Sequence, residues 1–199
     1  MLLRHGETAL GRDRYLGSRV DPPLSAAGEA DARAAGVRLR GVRPVAVVAS
    51  PLRRALETAA IAVPGARPLV DARWAELDFG ALSGLTWAEV EARFPAVAAS
   101  WRRDGVPAAT GGETVAALRA RVAAAMLDLA AGRDGDAVVV SHGGPVRMAI
   151  ALARGLGDAE LWRMRAPLGG VRVVRLTPGR LVRLRAAAVP PAIAAALPR

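Results

Sequence analysis

Residues 138–147 read VVVSHGGPVR: three valines with no polar interruption, then Ser141, His142, Gly143 and Gly144, and then Pro145. A strand without polar alternation is buried on both faces, as in a parallel sheet covered by helices. The glycine pair predicts a tight turn, and Pro145 suits the first position of a helix. Two other stretches repeat this order. Residues 2–8, LLRHGET, place Arg4, His5 and Gly6 after a short apolar strand. Residues 47–55, VVASPLRRA, follow an apolar strand with Ser50, then with a helix begun at Pro51 and carrying Arg53 in its first turn.

Helical patterns lie between the strands. Residues 25–41, SAAGEADARAAGVRLRG, predict a helix with Ser25 as N-cap and Gly41 as terminator. Thr86 and Glu89 stand at capping-box spacing before a short helix. Residues 112–132 predict a long amphipathic helix ending at Gly132, and residues 170–177 and 180–189 are β-rich. This alternation predicts an α/β fold, a three-layer α/β/α domain on a mostly parallel sheet. The domain is expected over residues 1–189, with a small helical cap over 79–112 and a Pro/Ala-rich tail over 190–199.

Composition narrows the classes. The chain has 199 residues, a net charge of +10, two histidines and no cysteine. Without cysteine, disulfides and thiolate zinc sites are excluded, and two histidines argue against a structural metal site, which leaves only carboxylates to hold a hard cation. No cofactor is expected. Every basic residue is arginine, spread along the chain and not gathered in one run, and the aromatics are few and separated. The charge therefore suits a small anionic ligand better than nucleic acid. No apolar run reaches the ~18 residues of a membrane span, and Arg4 and His5 interrupt any leader. A soluble, cytoplasmic protein is expected, monomer or homodimer, with no nucleic-acid or membrane partner.

In open α/β sheets, ligands bind beyond the carboxyl ends of the parallel strands. Three such ends bring both histidines and two arginines towards one point. Arginine grips phosphate oxygens with paired charge-assisted hydrogen bonds, and imidazole serves as nucleophile or donor. Taken singly, each residue has a plainer explanation: Arg53, for example, stands four residues before Glu57, the spacing of a surface ion pair. The joint pattern favours phosphoryl chemistry over metal chelation, which lacks a third ligand.

The blocks RHGET, YLGSRVDPPLSAAGEADA, SPLRRALETA, ELDFGALSGLTWAEV, TGGET and VVSHGGPVR resemble, in order and spacing, the histidine phosphatase (phosphoglycerate mutase-like) superfamily. Among its members, the resemblance is strongest to alpha-ribazole phosphatase-like proteins. It implies a phosphomonoester hydrolase without metal, acting on a small phosphorylated metabolite through a phosphohistidine. His5 would be the nucleophile, and Arg4, Arg53 and His142 would hold the phosphoryl oxygens, with backbone donors from Gly143 and the turn near Gly17. Glu76 would protonate the leaving alcohol and then help activate water. Gly11 stands where the family often has an asparagine, and Trp87 where mutases carry a lysine. Arg102 and Arg103 resemble the paired arginines of the mutase cap, and with Trp87 and Trp101 they are candidates for substrate contact. The alternatives are a cofactor-dependent phosphoglycerate mutase and a non-catalytic phospho-binding module on the same fold.

Overall fold

In the computed structural model, residues 1–104, 110–132, 134–176, 184, 187 and 188 are described. Strand β1 (Leu2–Arg4) leads past a two-residue strand β2 (Arg14–Tyr15) to helix α1 (Ala26–Arg38). Then follow β3 (Ala46–Ala49), α2 (Arg53–Ala62), β4 (Leu69–Val70), β5 (Leu85–Thr86), α3 (Trp87–Arg93) and α4 (Pro95–Asp104). The last elements are α5 (Val115–Ala131), β6 (Ala137–Ser141), α6 (Gly143–Arg154), α7 (Asp158–Leu161) and β7 (Val171–Arg172).

The main sheet has the order β4-β3-β6-β1-β7, parallel except for β7, which runs antiparallel to β1. Its two faces account for the unbroken apolar runs. Leu2, Val48 and Val139 face one core with residues of α5 and α6. Leu3, Val47, Ala49, Val138 and Val140 face the other, with residues of α1 and α2. Successive side chains of a strand point to opposite faces, so a strand covered on both sides must be apolar throughout. The layers are therefore helix, sheet, helix, as the alternation predicts.

Helix α1 follows β1 onto one face and α6 follows β6 onto the other. The crevice where the two connections part lies at the carboxyl ends of adjacent β1 and β6, aligned with Arg4 opposite Ser141. Gly6 and Gly28 let β1 deliver its last residues against α1. A Cβ on Gly6 would lie 2.2 Å from the Gly28 carbonyl oxygen, and one on Gly28 would lie 1.9 Å from that of Glu7.

Capping sets several boundaries. Ser25 caps α1 through Gly28 N–H, Thr114 caps α5 through Ala117 N–H, and Thr86 and Glu89 form the expected reciprocal box on α3. Three expected helix limits move. Helix α1 ends at Arg38, where Leu39 N–H closes back onto Ala35 and Gly36. Helix α2 begins at Arg53, with Leu52 as N-cap, because Ser50 turns its hydroxyl towards Leu52 N–H and His142. Helix α6 begins at Gly143, two residues before Pro145.

The segment from Phe79 leaves the layered pattern and builds a small core of its own. Leu82, Val90 and Ala98 are buried there against Tyr15, Phe79, Trp87 and Trp101. Of the two β-rich stretches near the end, the first pairs, among the described residues, through Val171–Arg172. Most of 180–189 and all of 190–199 lie outside the described residues. Leu184 and Ala187 are helical, not extended, and Ala188 N–H donates to the Leu184 carbonyl.

Candidate active site

The ends of β1 and β6 deliver two buried histidines. His5 N–H donates to the Ser141 carbonyl, and the two imidazole rings lie 5.0 Å apart between centroids. Nδ1 of His5 lies 2.7 Å from the Gly6 carbonyl oxygen, which can only accept. The proton therefore sits on Nδ1, and Nε2 keeps its lone pair. Burial lowers the His5 pKa well below the usual value, and the charges of Arg4 and Arg54 lower it further. His5 is thus held neutral, the state that can attack an electrophile. His142 is fully buried and also pushed towards the neutral form, first by burial and then by Arg54. Its Nε2 lies 2.7 Å from the Ser50 hydroxyl, which can donate to it and leave the proton on Nδ1.

The second arginine of the site is a correction to the sequence reading. Arg53 points outward: its side chain is 62% exposed and its Nε donates to Glu57 at 2.6 Å. Arg54 is 1% exposed and lines the cavity beside His5. Its Nη2 donates to the Gly17 carbonyl at 2.7 Å, and its Nη1 donates to the Val20 carbonyl and to Asp21. The reason is helical phase. The buried positions of α2 are 54, 55, 58, 59 and 62, a stripe that includes Arg54 and excludes Arg53. Thr58, on the same stripe, takes Gly6 N–H at 3.1 Å and donates to the Arg54 carbonyl, tying α2 to the end of β1. The Arg53–Glu57 spacing seen in the sequence was itself the signal, since an exposed pair leaves the next residue to the core.

Around His5 three buried donors meet no acceptor among the described residues, Arg4 Nε, Arg54 Nε and His142 Nδ1; a fourth, Trp162 Nε1, belongs to a residue that lines the same cavity. Buried polar groups are normally satisfied, so three orphans around one neutral imidazole mark a place for an oxyanion. Arg4 is held by the Ala166 carbonyl at 2.6 Å, and burial lowers its pKa to about 10, leaving it charged. Gly17 contributes by its carbonyl, which orients Arg54, at a left-handed φ of 63°.

Glu76 comes from the loop that follows Trp74. Its Oε1 accepts from Leu77 N–H at 2.9 Å and from Gly144 N–H at 3.0 Å. A Cβ on Gly144 would fall 2.4 Å from Oε1, so a larger residue there displaces the carboxylate from this position. The loop under Glu76 is clamped by Arg121, which donates to the carbonyls of Arg73, Ala75 and Glu76 and pairs with Glu113. Glu113 N–H in turn donates to the Asp78 carbonyl. The TGGET and ELDFG blocks are thus one packed unit.

Arg4, His5, Arg54, Glu76, Gly143 and Gly144 line a cavity of about 790 Å³, whereas His142 is fully buried beside His5 and is not part of the lining. The family model of the histidine phosphatase superfamily (branch 1) matches residues 1–188. The chain belongs to the histidine phosphatase superfamily. A bifunctional protein of Mycobacterium tuberculosis is 37% identical over an alignment of 180 residues that covers 87% of this chain and 49% of that protein. The chain therefore spans about half the length of that curated relative. A glucosyl-3-phosphoglycerate phosphatase of Mycolicibacterium vanbaalenii is 32% identical over 186 residues, 88% of this chain and 82% of that protein. Among solved structures, a mycobacterial glucosyl-3-phosphoglycerate phosphatase complexed with VO3 superposes with a TM-score of 0.74 at 31% identity, covering 82% of this chain and 85% of that one. An Escherichia coli protein proposed to be an alpha-ribazole-5′-P phosphatase superposes with a TM-score of 0.73 at 27% identity, covering 84% and 85%.

In this member of the superfamily the outer cavity wall is aromatic. Trp87 and Trp101, the candidates for substrate contact, lie on it, together with Tyr15 and Phe79, which the sequence reading did not single out. The Tyr15 and Trp101 rings lie 4.9 Å apart, and those of Phe79 and Trp101 lie stacked at 6.1 Å. Arg102 and Arg103 do not line the cavity. Arg102 lies over the Trp87 ring at 5.3 Å and pairs with Glu91, and Arg103 is exposed. Arg12, Arg14 and Arg147 line it instead. Their convergence depends on long-range packing and has no local pattern, although Arg147 stands four residues, about one helical turn, after Gly143.

Proposed function

We propose that this chain hydrolyses small phosphomonoesters through a phosphohistidine on His5. The reading is carried by the three unsatisfied buried donors around a neutral, Nε2-unprotonated His5. Nε2 of His5 attacks phosphorus, and the bond from phosphorus to the ester oxygen breaks. Glu76 transfers its proton to that departing oxygen. Arg4, Arg54 and His142 neutralise charge spreading over the equatorial oxygens, which is the main catalytic requirement of phosphoryl transfer. Water then attacks the phosphohistidine, giving a proton to Glu76, and His5 and phosphate are released. Fixed guanidinium charge meets the need for neutralisation from the chain's own residues.

The substrate class is a small phosphorylated sugar or sugar acid, in keeping with the glucosyl-3-phosphoglycerate phosphatases to which the chain is similar. An aromatic wall suits the apolar face of a sugar ring. Hydrolysis is favoured over the mutase reaction because Trp87 replaces the mutase lysine and Arg102 is engaged with Glu91 outside the cavity. EDTA-resistant turnover of p-nitrophenyl phosphate, with an acid-labile, base-stable phosphoenzyme, is the expected result. His5→Ala abolishes both. A label that persists in His5→Ala refutes His5 as the nucleophile, and phosphopeptide binding without turnover would indicate the non-catalytic module.

A further inference from the structure

Ser50 follows β3 and precedes α2, yet its side chain serves the histidine that follows β6. Its N–H donates to the Val140 carbonyl at 3.0 Å, which sets it against the end of that strand. Ser50 and His142 are both fully buried. The hydroxyl oxygen accepts from Leu52 N–H at 3.3 Å and lies 2.7 Å from His142 Nε2. Among the described residues that nitrogen is the one acceptor within reach of the hydroxyl proton.

The pair can be protonated in two ways, and counting donors separates them. If Nε2 carried the ring proton and donated to Ser50, the hydroxyl proton would be buried without an acceptor. Nδ1 would then be a bare lone pair, which repels an oxyanion. If Ser50 donates to Nε2, the pair is satisfied except for Nδ1–H, one of the buried donors around His5. A phosphoryl oxygen supplies the acceptor that this N–H lacks. Burial pushes both imidazoles towards the neutral form, so each carries one ring proton and its position decides what the ring can do. The two histidines thus share a tautomer and use it in opposite ways. The Gly6 carbonyl, which can only accept, takes the His5 proton and frees Nε2 to attack. Ser50, by donating to Nε2, leaves the His142 proton free on Nδ1. His142 is buried and outside the cavity lining, so no exposed edge of the ring lets solvent satisfy the other tautomer.

We propose that Ser50 is a positioning residue whose hydroxyl fixes His142 in the tautomer that offers Nδ1–H to a phosphoryl oxygen. The proposal rests on the phosphomonoesterase reading above, but its first test needs no turnover. The chain has two histidines, so a nitrogen NMR spectrum of histidine-labelled protein contains two imidazoles, told apart by His5→Ala. Above neutral pH the wild type is expected to show both rings protonated at Nδ1 and bare at Nε2. In Ser50→Ala the His142 proton moves to Nε2 or divides between the nitrogens. The inhibition constant for vanadate then rises ~10-fold or more, the scale of a hydrogen bond to a charged group. Ser50→Thr, which keeps the hydroxyl, retains the wild-type tautomer. Ser50→Cys, whose thiol donates weakly, shifts the proton part of the way and serves as the probe where the Ala variant does not fold. A wild-type His142 protonated at Nε2 overturns the proposal. So does a Ser50→Ala ring that keeps its proton on Nδ1, because a merely structural loss would weaken vanadate binding without moving that proton. A moved proton with unchanged vanadate inhibition overturns the role of Nδ1–H. Absence of phosphomonoesterase activity beside the expected tautomers overturns the functional proposal and leaves the Ser50–His142 assignment standing.

Discussion

Arg53 and Arg54 are chemically identical neighbours, yet on a helix their side chains diverge by about 100°. One meets Glu57 in solvent and the other is sealed against Gly17, Val20 and Asp21 beside His5. The consequences of removing them should differ by orders of magnitude. Arg54→Ala is expected to lower kcat/KM for p-nitrophenyl phosphate by ~10²-fold or more, on the scale of losing a preorganised donor to an oxyanion. It should weaken inhibition by vanadate in parallel. Arg53→Ala removes an exposed i,i+4 pair worth a few tenths of a kcal/mol, so the same measurements should change less than about 2-fold. The reverse pattern would return Arg53 to the site.

At the scale of elements, the nucleophile is held still by the contact between β1 and α1 and by the bonds around it. The strand is three residues long, but it lies between β6 and β7 and buries Leu2 and Leu3 on opposite faces. Its end is fixed by Gly6 against Gly28, by Gly6 N–H to Thr58, and by Ser25, which joins Glu7 to the cap of α1. Gly28→Ala would drive a Cβ into the Glu7 carbonyl, a backbone atom that cannot swing aside. Overpacking of this kind costs about 1–3 kcal/mol. Denaturant unfolding should show a loss of that size, accompanied by reduced turnover because His5 moves with the strand. An unchanged unfolding midpoint would show that the interface yields easily. The same contact explains why Gly6 belongs to the RHG motif without a positive φ: it is needed for space.

For the whole molecule, burying two histidines makes folding pH-dependent. Both are neutral in the fold and have pKa values well below the ordinary 6.5, first because of burial. The unfolded chain therefore binds more protons than the native one below about pH 6.5, and stability falls as pH drops from there towards the folded-state values. Each histidine contributes a slope of up to ~1.4 kcal/mol per pH unit in that window. Carboxylates whose hydrogen bonds outweigh the effect of burial, Glu57 through Leu24 N–H and then Arg53, Asp71 through Arg73 and Asp78 through Arg19, lose their contribution only at more acid pH. Unfolding free energies between pH 6.5 and 5 should decline with a slope that His5→Ala roughly halves. A flat profile would mean that the rings take up protons in the native state.

The same scales separate what was legible in the sequence from what was not. The chain alone determined the layered architecture, because apolar runs such as 138–140 can be buried on both faces only inside a parallel sheet covered by helices. It determined that His5 and His142 each follow the end of a strand, since each run breaks at a polar residue followed by glycine, while the sheet order made those strands neighbours. Local chemistry likewise set the caps at Ser25, Thr86 and Thr114. Only the tertiary structure decided that Arg54 enters the site, that Arg102 stays outside it, and that Arg147, Tyr15 and Phe79 face one cavity. Periodicity gives the phase of a residue on its own helix. The direction in which that phase points is set by how the helix packs on the sheet and by loops brought together from far along the chain.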